Sequence, residues 1–289
     1  MIEPVCSGPA LARAIRETVP HPGTICVWWL GQSGYAIRSR TSLVVFDPYL
    51  SESLTVKYAG TSRPHIRMTR CPMAPTELSA IDLIVASHKH SDHMDPGTLP
   101  ALLDGSPCAS LVVPTALIDH ARGLAGCDPE RVVGIVAGET MRHGELTLHA
   151  LPSAHEGLDT DAQGHHLYLG YVLEIGGLRL YHSGDSLVYE GLAERLRAIA
   201  STTGGGSVDV LFLPINGRDP ARGVPGNMTA AEAVGLANAV RPRFVVPHHY
   251  DMFTFNTVPV EEFLDATRSL EPGIQPVVLE CGACWEVGR

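Results

Sequence analysis

Residues 81–96 read IDLIVASHKHSDHMDP. The first seven, Ile81–Ser87, are a nearly continuous apolar run of strand length. Such a run fits a strand buried on both faces better than one with a wet side. It stops at His88-Lys89-His90-Ser91-Asp92-His93. With 14 His and 14 Asp in the chain, an H-x-H-x-D-H string is expected by chance only about 0.002 times. Alternate residues of an extended segment point the same way, so His88 and His90 can converge on one ion. A turn then lets Asp92 and His93 face a neighbouring ion. Three imidazoles and a carboxylate packed this closely repel on protonation unless something organises them, and imidazole is the commonest metal ligand. Asp95-Pro96 offers an N-cap and first position for a short helix just beyond.

Outward from this stretch the chain is rich in short apolar runs. Upstream, Thr24–Leu30, Tyr35–Arg38 and Leu43–Asp47 are bounded by Gly31-Gln32-Ser33-Gly34 and Pro48, which reads as a β-meander. Residues 51–75 have no clean period and are expected to form a long loop, the kind that often carries function. Downstream, Leu111–Val113, Val132–Val136 and Leu146–Leu151 read as strands, and Ala116–Leu124 as a helix. Leu167–Ile175 and Leu178–His182 flank Gly176-Gly177, a hairpin signal. Tyr189–Ala200 has helical spacing, Ser201–Ser207 is a flexible loop, and Val208–Ile215 is a buried-type strand. Thr229-Ala-Ala-Glu232 matches a capping box and opens a helix to Ala239. Phe244–Val246, a helix over Pro259–Leu270 and a last strand over Val277–Leu279 complete the reading. Two strand-rich halves, each with a late helix, predict an α/β (α+β) chain. Two sheets pack face to face with helices outside, in a single unit spanning residues 1–289.

Composition narrows the function classes. Hydrophobic residues make up 45% and charged residues 18% of the 289 positions, which excludes a disordered chain. No run of about 18 apolar residues exists, so no membrane-spanning helix is expected. The first residues show no basic start followed by an apolar stretch, so no export signal is expected. A net charge of −10 argues against a nucleic-acid binder, which needs a basic face. Seven cysteines without an export signal predict reduced thiols and a cytoplasmic location. Cys281-Gly-Ala-Cys284 lacks the second CxxC that a zinc site requires. Lys57 and Lys89 are the only lysines, against 19 arginines, which reads as a compositional bias.

Two metal sites need more donors than the six-residue string provides. The remaining candidates also follow apolar runs: His155 in LPSAHEG, Asp185 in YHSGDS, and His248 and His249 in VVPHHYDMF.

Taken together, HKHSDH, SAHEG, HSGDS and PHHYDMF resemble the metallo-β-lactamase superfamily of dinuclear metal hydrolases. WWLGQSG and the stretch PINGRDPARGVPGNMTAAEAV are most similar to its ascorbate-6-phosphate lactonase-like branch. The resemblance covers the chain from Trp28 onward. It implies a four-layer αββα sandwich, the metallo-β-lactamase fold, with the site at the edge between the sheets. It further implies that His88, His90 and His155 hold one divalent ion, that Asp92, His93 and His249 hold a second, and that Asp185 bridges them. Asp47 would accept a hydrogen bond from a ligand histidine, and His248 would stand behind the ligands. Zn or Mn is expected, with Fe admitted by a mixed N/O donor set.

The implied chemistry is attack by a metal-bridging hydroxide on a small anionic substrate, most simply a lactone, with Asp92 and Asp185 as the catalytic carboxylates. A phosphodiesterase of the same fold is the alternative, and a non-enzymatic metal-binding protein a third reading. The anion is expected to meet Asn216 and Arg218, with Arg67 and Arg222 close by. Arg63 and Arg70 also lie in the long loop. The expected partner is thus a small molecule rather than nucleic acid or membrane, and a homo-oligomer is admitted.

Overall fold

The computed structural model describes residues 1–202, 207–223 and 226–289. The middle of the expected loop Ser201–Ser207 and two positions of the 214–234 stretch fall outside the described residues.

Thr24–Gly31 (β1) shows how this sequence builds layers. Side chains of a strand leave alternately on opposite faces. Ile25, Val27 and Trp29 enter a large central core, while Cys26, Trp28 and Leu30 enter a second core on the other face. The strand is apolar almost throughout because both faces are covered. Gly34–Arg38 (β2) and Leu43–Phe46 (β3) follow in antiparallel steps, then Leu83–Val85 (β4), Ser110–Pro114 (β5) and Val132–Ile135 (β6) in parallel ones. In β4, Leu83 and Val85 point to the central core and Ile84 to the outer one, as its continuous apolar run predicts.

The second sheet begins with three antiparallel pairings, of Thr140–His143 (β7), Leu146–Pro152 (β8), Leu169–Ile175 (β9) and Leu178–His182 (β10). Val210–Pro214 (β11), Phe244–His248 (β12) and Gln275–Pro276 (β13) add parallel strands. Cys284–Gly288 (β14) returns to the first sheet and pairs with β1. Among the described residues the sheets run β14-β1-β2-β3-β4-β5-β6 and β13-β12-β11-β10-β9-β8-β7.

Helices close the sandwich. The first sheet's outer core holds Leu11 and Ile15 of α1 (Gly8–Glu17). A short α2 (Ser53–Lys57) sends Leu54 into a separate small cluster with Tyr49, Met252 and Phe253. Leu99, Leu102 and Leu103 of α3 (Leu99–Gly105) and Ala121 and Ala125 of α4 (Ile118–Ala125) join α1 over the first sheet. Leu192 and Leu196 of α5 (Leu192–Thr202), Ala233, Val234 and Ala237 of α6 (Ala230–Val240) and Phe263 of α7 (Val260–Ala266) cover the second. These are the four layers of an αββα sandwich. No helix among the described residues is long and apolar enough to cross a membrane.

The structure corrects several readings. The supposed long loop carries α2 and ends in a 3₁₀ turn at Pro75–Glu77. Val277–Leu279 is not a strand; the parallel pairing ends at β13, and the last strand is β14, whose mixed burial hid it from an apolar-run search. Asp95 does not cap α3. Thr98 is the N-cap, and Asp95 instead accepts from Gly97 N at 3.0 Å and from the Thr98 hydroxyl. All seven cysteines are free thiols, with Cys281 buried and Cys284 exposed on β14.

Candidate metal centre

Parallel strands bring their carboxyl ends to one edge, the place where ligands bind in sheets of this kind. Asp47 follows β3, and His88, His90, Asp92 and His93 follow β4. Asp185 follows β10 and His249 follows β12. β8 runs in the same direction as β10, being two antiparallel steps away, so His155 emerges at the same edge. The two sheets are tied there by His182 Nε2 donating to Ser33 O at 2.8 Å and by Leu169 N donating to Ser87 O at 3.0 Å. The turn that presents Asp185 needs Gly184, whose φ is +58° and where a Cβ would lie 2.6 Å from Ser87 Cβ.

Seven side chains converge. Their donor atoms fall into three groups: His88, His93 and Asp185; His90, His155 and Asp185; and Asp92, His93 and His249. Within each group the atoms lie within 4.8 Å of one another. Asp185 sits centrally, with Oδ1 at 3.3 Å from His93 Nε2 and Oδ2 at 3.3 Å from His249 Nε2. His88 groups with His93 and Asp185, whereas the resemblance pairs it with His90 and His155. His90 and Asp92 are the half-exposed members; the others are buried.

The donors suit a divalent cation. Among the described residues His88 Nε2 is buried without a hydrogen-bond partner, and His93 Nε2 and Asp185 Oδ1, 3.3 Å apart, have none beyond each other; the three share one group. Buried polar atoms are almost always satisfied, and a cation satisfies all three at once. Burial and the neighbouring His93 and His90 hold His88 well below the ordinary imidazole value. Burial likewise brings His155 down to about 4. Both are therefore neutral at pH 7, the form in which imidazole can bind a cation. Burial opposes charge on His93 as well, but Asp185, Asp47 and Asp92 outweigh it and hold this imidazole well above its usual range. Burial also disfavours the Asp185 carboxylate, yet His249 and His93 keep it well below the carboxylate range. This half of the centre draws positive charge.

A buried scaffold orients the candidate donors. Asp47 Oδ2 lies 2.7 Å from His93 Nδ1, and the same carboxylate accepts from Ser87 N at 2.7 Å and Ser87 Oγ at 2.6 Å. With Nδ1 engaged, His93 presents Nε2 to the centre. His248 is fully buried and points away, with Nδ1 3.0 Å from Ser33 Oγ and its ring stacked on His182. Its neighbour His249 leaves the strand at φ +62°, which turns its ring to the other side.

The expected anion-binding residues are not in the cavity. Arg67 is buried, pairs with Glu52 at 2.9 Å and lies over the Tyr49 ring. Arg218 grips Glu232 through two hydrogen bonds of 2.8 and 2.5 Å. Arg222 donates to Asn216 O at 2.5 Å, and Asn216 donates its amide to Asn256 at 3.0 Å. Their loop does reach the site, but through Gly223 and Asn227. Each of these polar side chains meets a protein partner before it can meet a ligand.

Sequence reasoning also missed residues. Gln32 Nε2 donates to Asp92 Oδ2 at 2.7 Å and lies 3.2 Å from His249 Nε2. Tyr168 packs its ring 5.1 Å from His88 and 5.2 Å from His155. Neither is a His or Asp just after an apolar run, so neither stands out in the sequence.

Facing sheets, outer helices and a cluster of His and Asp at strand ends define a protein of the metallo-β-lactamase fold. The chain belongs to the β-lactamase superfamily: the profile described as "Beta-lactamase superfamily domain" matches residues 43–250. Two relatives are each 25% identical to it. One is an Escherichia coli O127:H6 protein named "Probable L-ascorbate-6-phosphate lactonase", with 88% of this chain and 77% of the relative covered. The other is a metal-dependent hydrolase of Archaeoglobus fulgidus, with 91% and 99% covered. Igni18, a metallo hydrolase from Ignicoccus hospitalis, shares the fold at a TM-score of 0.66 and 19% identity, covering 92% of this chain and 99% of its own.

Proposed function

We propose that this protein holds two divalent ions and hydrolyses a lactone or related ester of a small anion. The observation that supports this most is the position of Asp185 between two donor sets, His90 with His155 and His93 with His249. Divalent ions in these sets supply positive charge that polarises a substrate carbonyl and acidifies a water. The donors are imidazole and carboxylate without thiolate, which suits Zn, Mn or Fe. The cavity above them has a volume of about 450 Å³, the scale of a small molecule.

The chain's own residues divide the remaining work. Asp92 lines the cavity with its side chain 16% exposed, and in this reading it takes the proton of the attacking water and returns it to the leaving group. Gln32 restrains that carboxylate from behind. Asp47, through His93, and Tyr168, against His88 and His155, hold the imidazoles in register.

Elemental analysis after metal-replete purification should find two ions per protomer, and one or none overturns the dinuclear reading. A panel of lactones, esters and phosphodiesters then tests the reaction, with fastest turnover expected on a lactone. Asp185→Asn should abolish turnover and lower metal content, while His248→Asn should leave metal content near wild type. Equal loss of metal in both would mean that the ligand in Pro247-His248-His249 is misassigned.

A further inference from the structure

Both lysines of the chain, Lys57 and Lys89, line the cavity over the metal centre, and Arg63 joins them. Of the arginines that the sequence suggested, Arg63 is this cavity residue, whereas Arg67 pairs with Glu52, Arg218 with Glu232, Arg222 with Asp219 and Arg70 with Glu3. Lys57, Arg63 and Lys89 form no ion pair among the described residues. Among the described residues the only carboxylates in the cavity wall are Asp92 and Asp185, at the centre itself. In a chain of net charge −10, three cations against two carboxylates reverse the sign locally at this cavity. Such a cavity focuses a field that attracts anions. Arg63 is held in place by donating to Gly223 O at 2.6 Å, and Lys57 Nζ lies 5.2 Å from the Tyr58 ring centroid.

The wall beside these cations is aromatic. His65 stacks on Tyr58 at 4.1 Å and 17°, and Phe253 and Phe255 meet its ring edge-on at 4.9 and 4.6 Å. Burial lowers the His65 pKa, so its ring is uncharged at neutral pH. The aromatic faces and the cations come largely from one short segment, residues 57–65. This segment lies within the stretch that has no sequence period.

We infer that this wall is a substrate subsite for a planar organic anion. The flat body lies against Tyr58 and Phe255, backed by the buried Phe253, and the anionic group lies among Lys57, Arg63 and Lys89. The hydrolytic reading decides only which bond of the ligand is cut; the subsite is a claim about binding and stands or falls separately. Flat rings stack favourably on aromatic faces, and charge-assisted hydrogen bonds from Lys and Arg hold a phosphonate or carboxylate.

Calorimetric titration of the metal-loaded protein with phenylphosphonate tests this. The wild type should bind it about tenfold tighter than Lys57→Ala/Arg63→Ala/Lys89→Ala. It should also bind phenylphosphonate several-fold tighter than methylphosphonate, which lacks the ring. A control, Arg13→Ala/Arg122→Ala/Arg268→Ala, removes the same charge from α1, α4 and the 3₁₀ turn Thr267–Ser269 and should leave the affinity unchanged. Equal binding by wild type and cavity variant, equal loss in the control, or no binding by the wild type overturns the subsite. All three cavity cations are exposed, so the variant should fold. If its melting temperature or metal content falls, Lys89→Ala alone should still weaken binding about threefold, and no weakening there overturns the subsite. The metal count tests the hydrolytic reading independently.

Discussion

Gln32 occupies a backbone conformation that residues with a Cβ rarely adopt, with φ at +50°. Asp47 and His249 share the peculiarity, at +40° and +62°. Among the described residues, three of the six non-glycine positions with positive φ thus lie at the candidate metal centre. Strained backbone persists where surrounding structure over-determines it, which is common at functional sites. For Gln32 the determinants are visible. Its carbonyl accepts from Trp29 Nε1 at 3.0 Å and from His249 N at 3.1 Å, while its amide reaches Asp92. Gln32→Ala should keep the fold but weaken metal retention about 10–100-fold, as losing an outer hydrogen bond to a ligand typically does. Metal content across a graded chelator series would read this, and wild-type retention would show that Gln32 does not tune the centre. Asp47→Ala should be worse for stability. It leaves His93 Nδ1 and Ser87 N without their buried acceptor, a loss on the order of 3 kcal/mol in urea unfolding.

The capping box at the start of α6 is the clearest case where local sequence sets an element. Thr229 Oγ1 accepts from Glu232 N at 3.2 Å, and Glu232 Oε2 accepts from Thr229 N at 2.8 Å. Thr229→Ala should cost about 1 kcal/mol, read as a fall of about 2 °C in Tm. Arg218 clamps the same glutamate, and this hydrogen bond, more than any other cause, lowers the Glu232 pKa below 4.5. A lowered carboxylate pKa stabilises the fold above the ordinary value and loses that contribution as pH falls through the folded value. Arg218→Ala should therefore melt below wild type at pH 7, with the gap closing toward pH 3; a gap constant with pH would mean the clamp is not electrostatic. Other elements were less legible. β14 buries only Val287 and carries exposed Cys284 and Glu286, so its period is masked. α2 spans only Ser53–Lys57, too short to show a helical face.

The molecule as a whole couples folding to its centre. Five imidazoles and two carboxylates meet where the two sheets join, so a cation there binds the folded chain and not the unfolded one. Metal at about 1,000 times its Kd adds about 4 kcal/mol. Chelation should accordingly lower Tm by several degrees, and an unchanged Tm would mean the cluster holds no ion. Much was readable before folding. Continuous apolar runs such as Ile81–Ser87 report burial on both faces, because a strand with one wet face must alternate. The string His88–His93 reports its chemistry because its residue types are close in the chain. His155, Asp185, His248 and His249 stand out because each comes within a few residues of an apolar run, which ties them to strand ends, and the choice of His249 over His248 rests on the family resemblance. What the sequence could not decide is which polar side chains are already engaged. Arg67, Arg218 and Arg222 look like anion holders in one dimension, but folding sets each beside a carboxylate. Lys57 and Lys89 look like compositional residue, but folding leaves them lining the cavity without such a partner among the described residues. Chemistry carried by neighbours in the chain is legible in the sequence. Satisfaction of charge depends on residues far apart in the chain that only the packed sheets bring within a few ångströms.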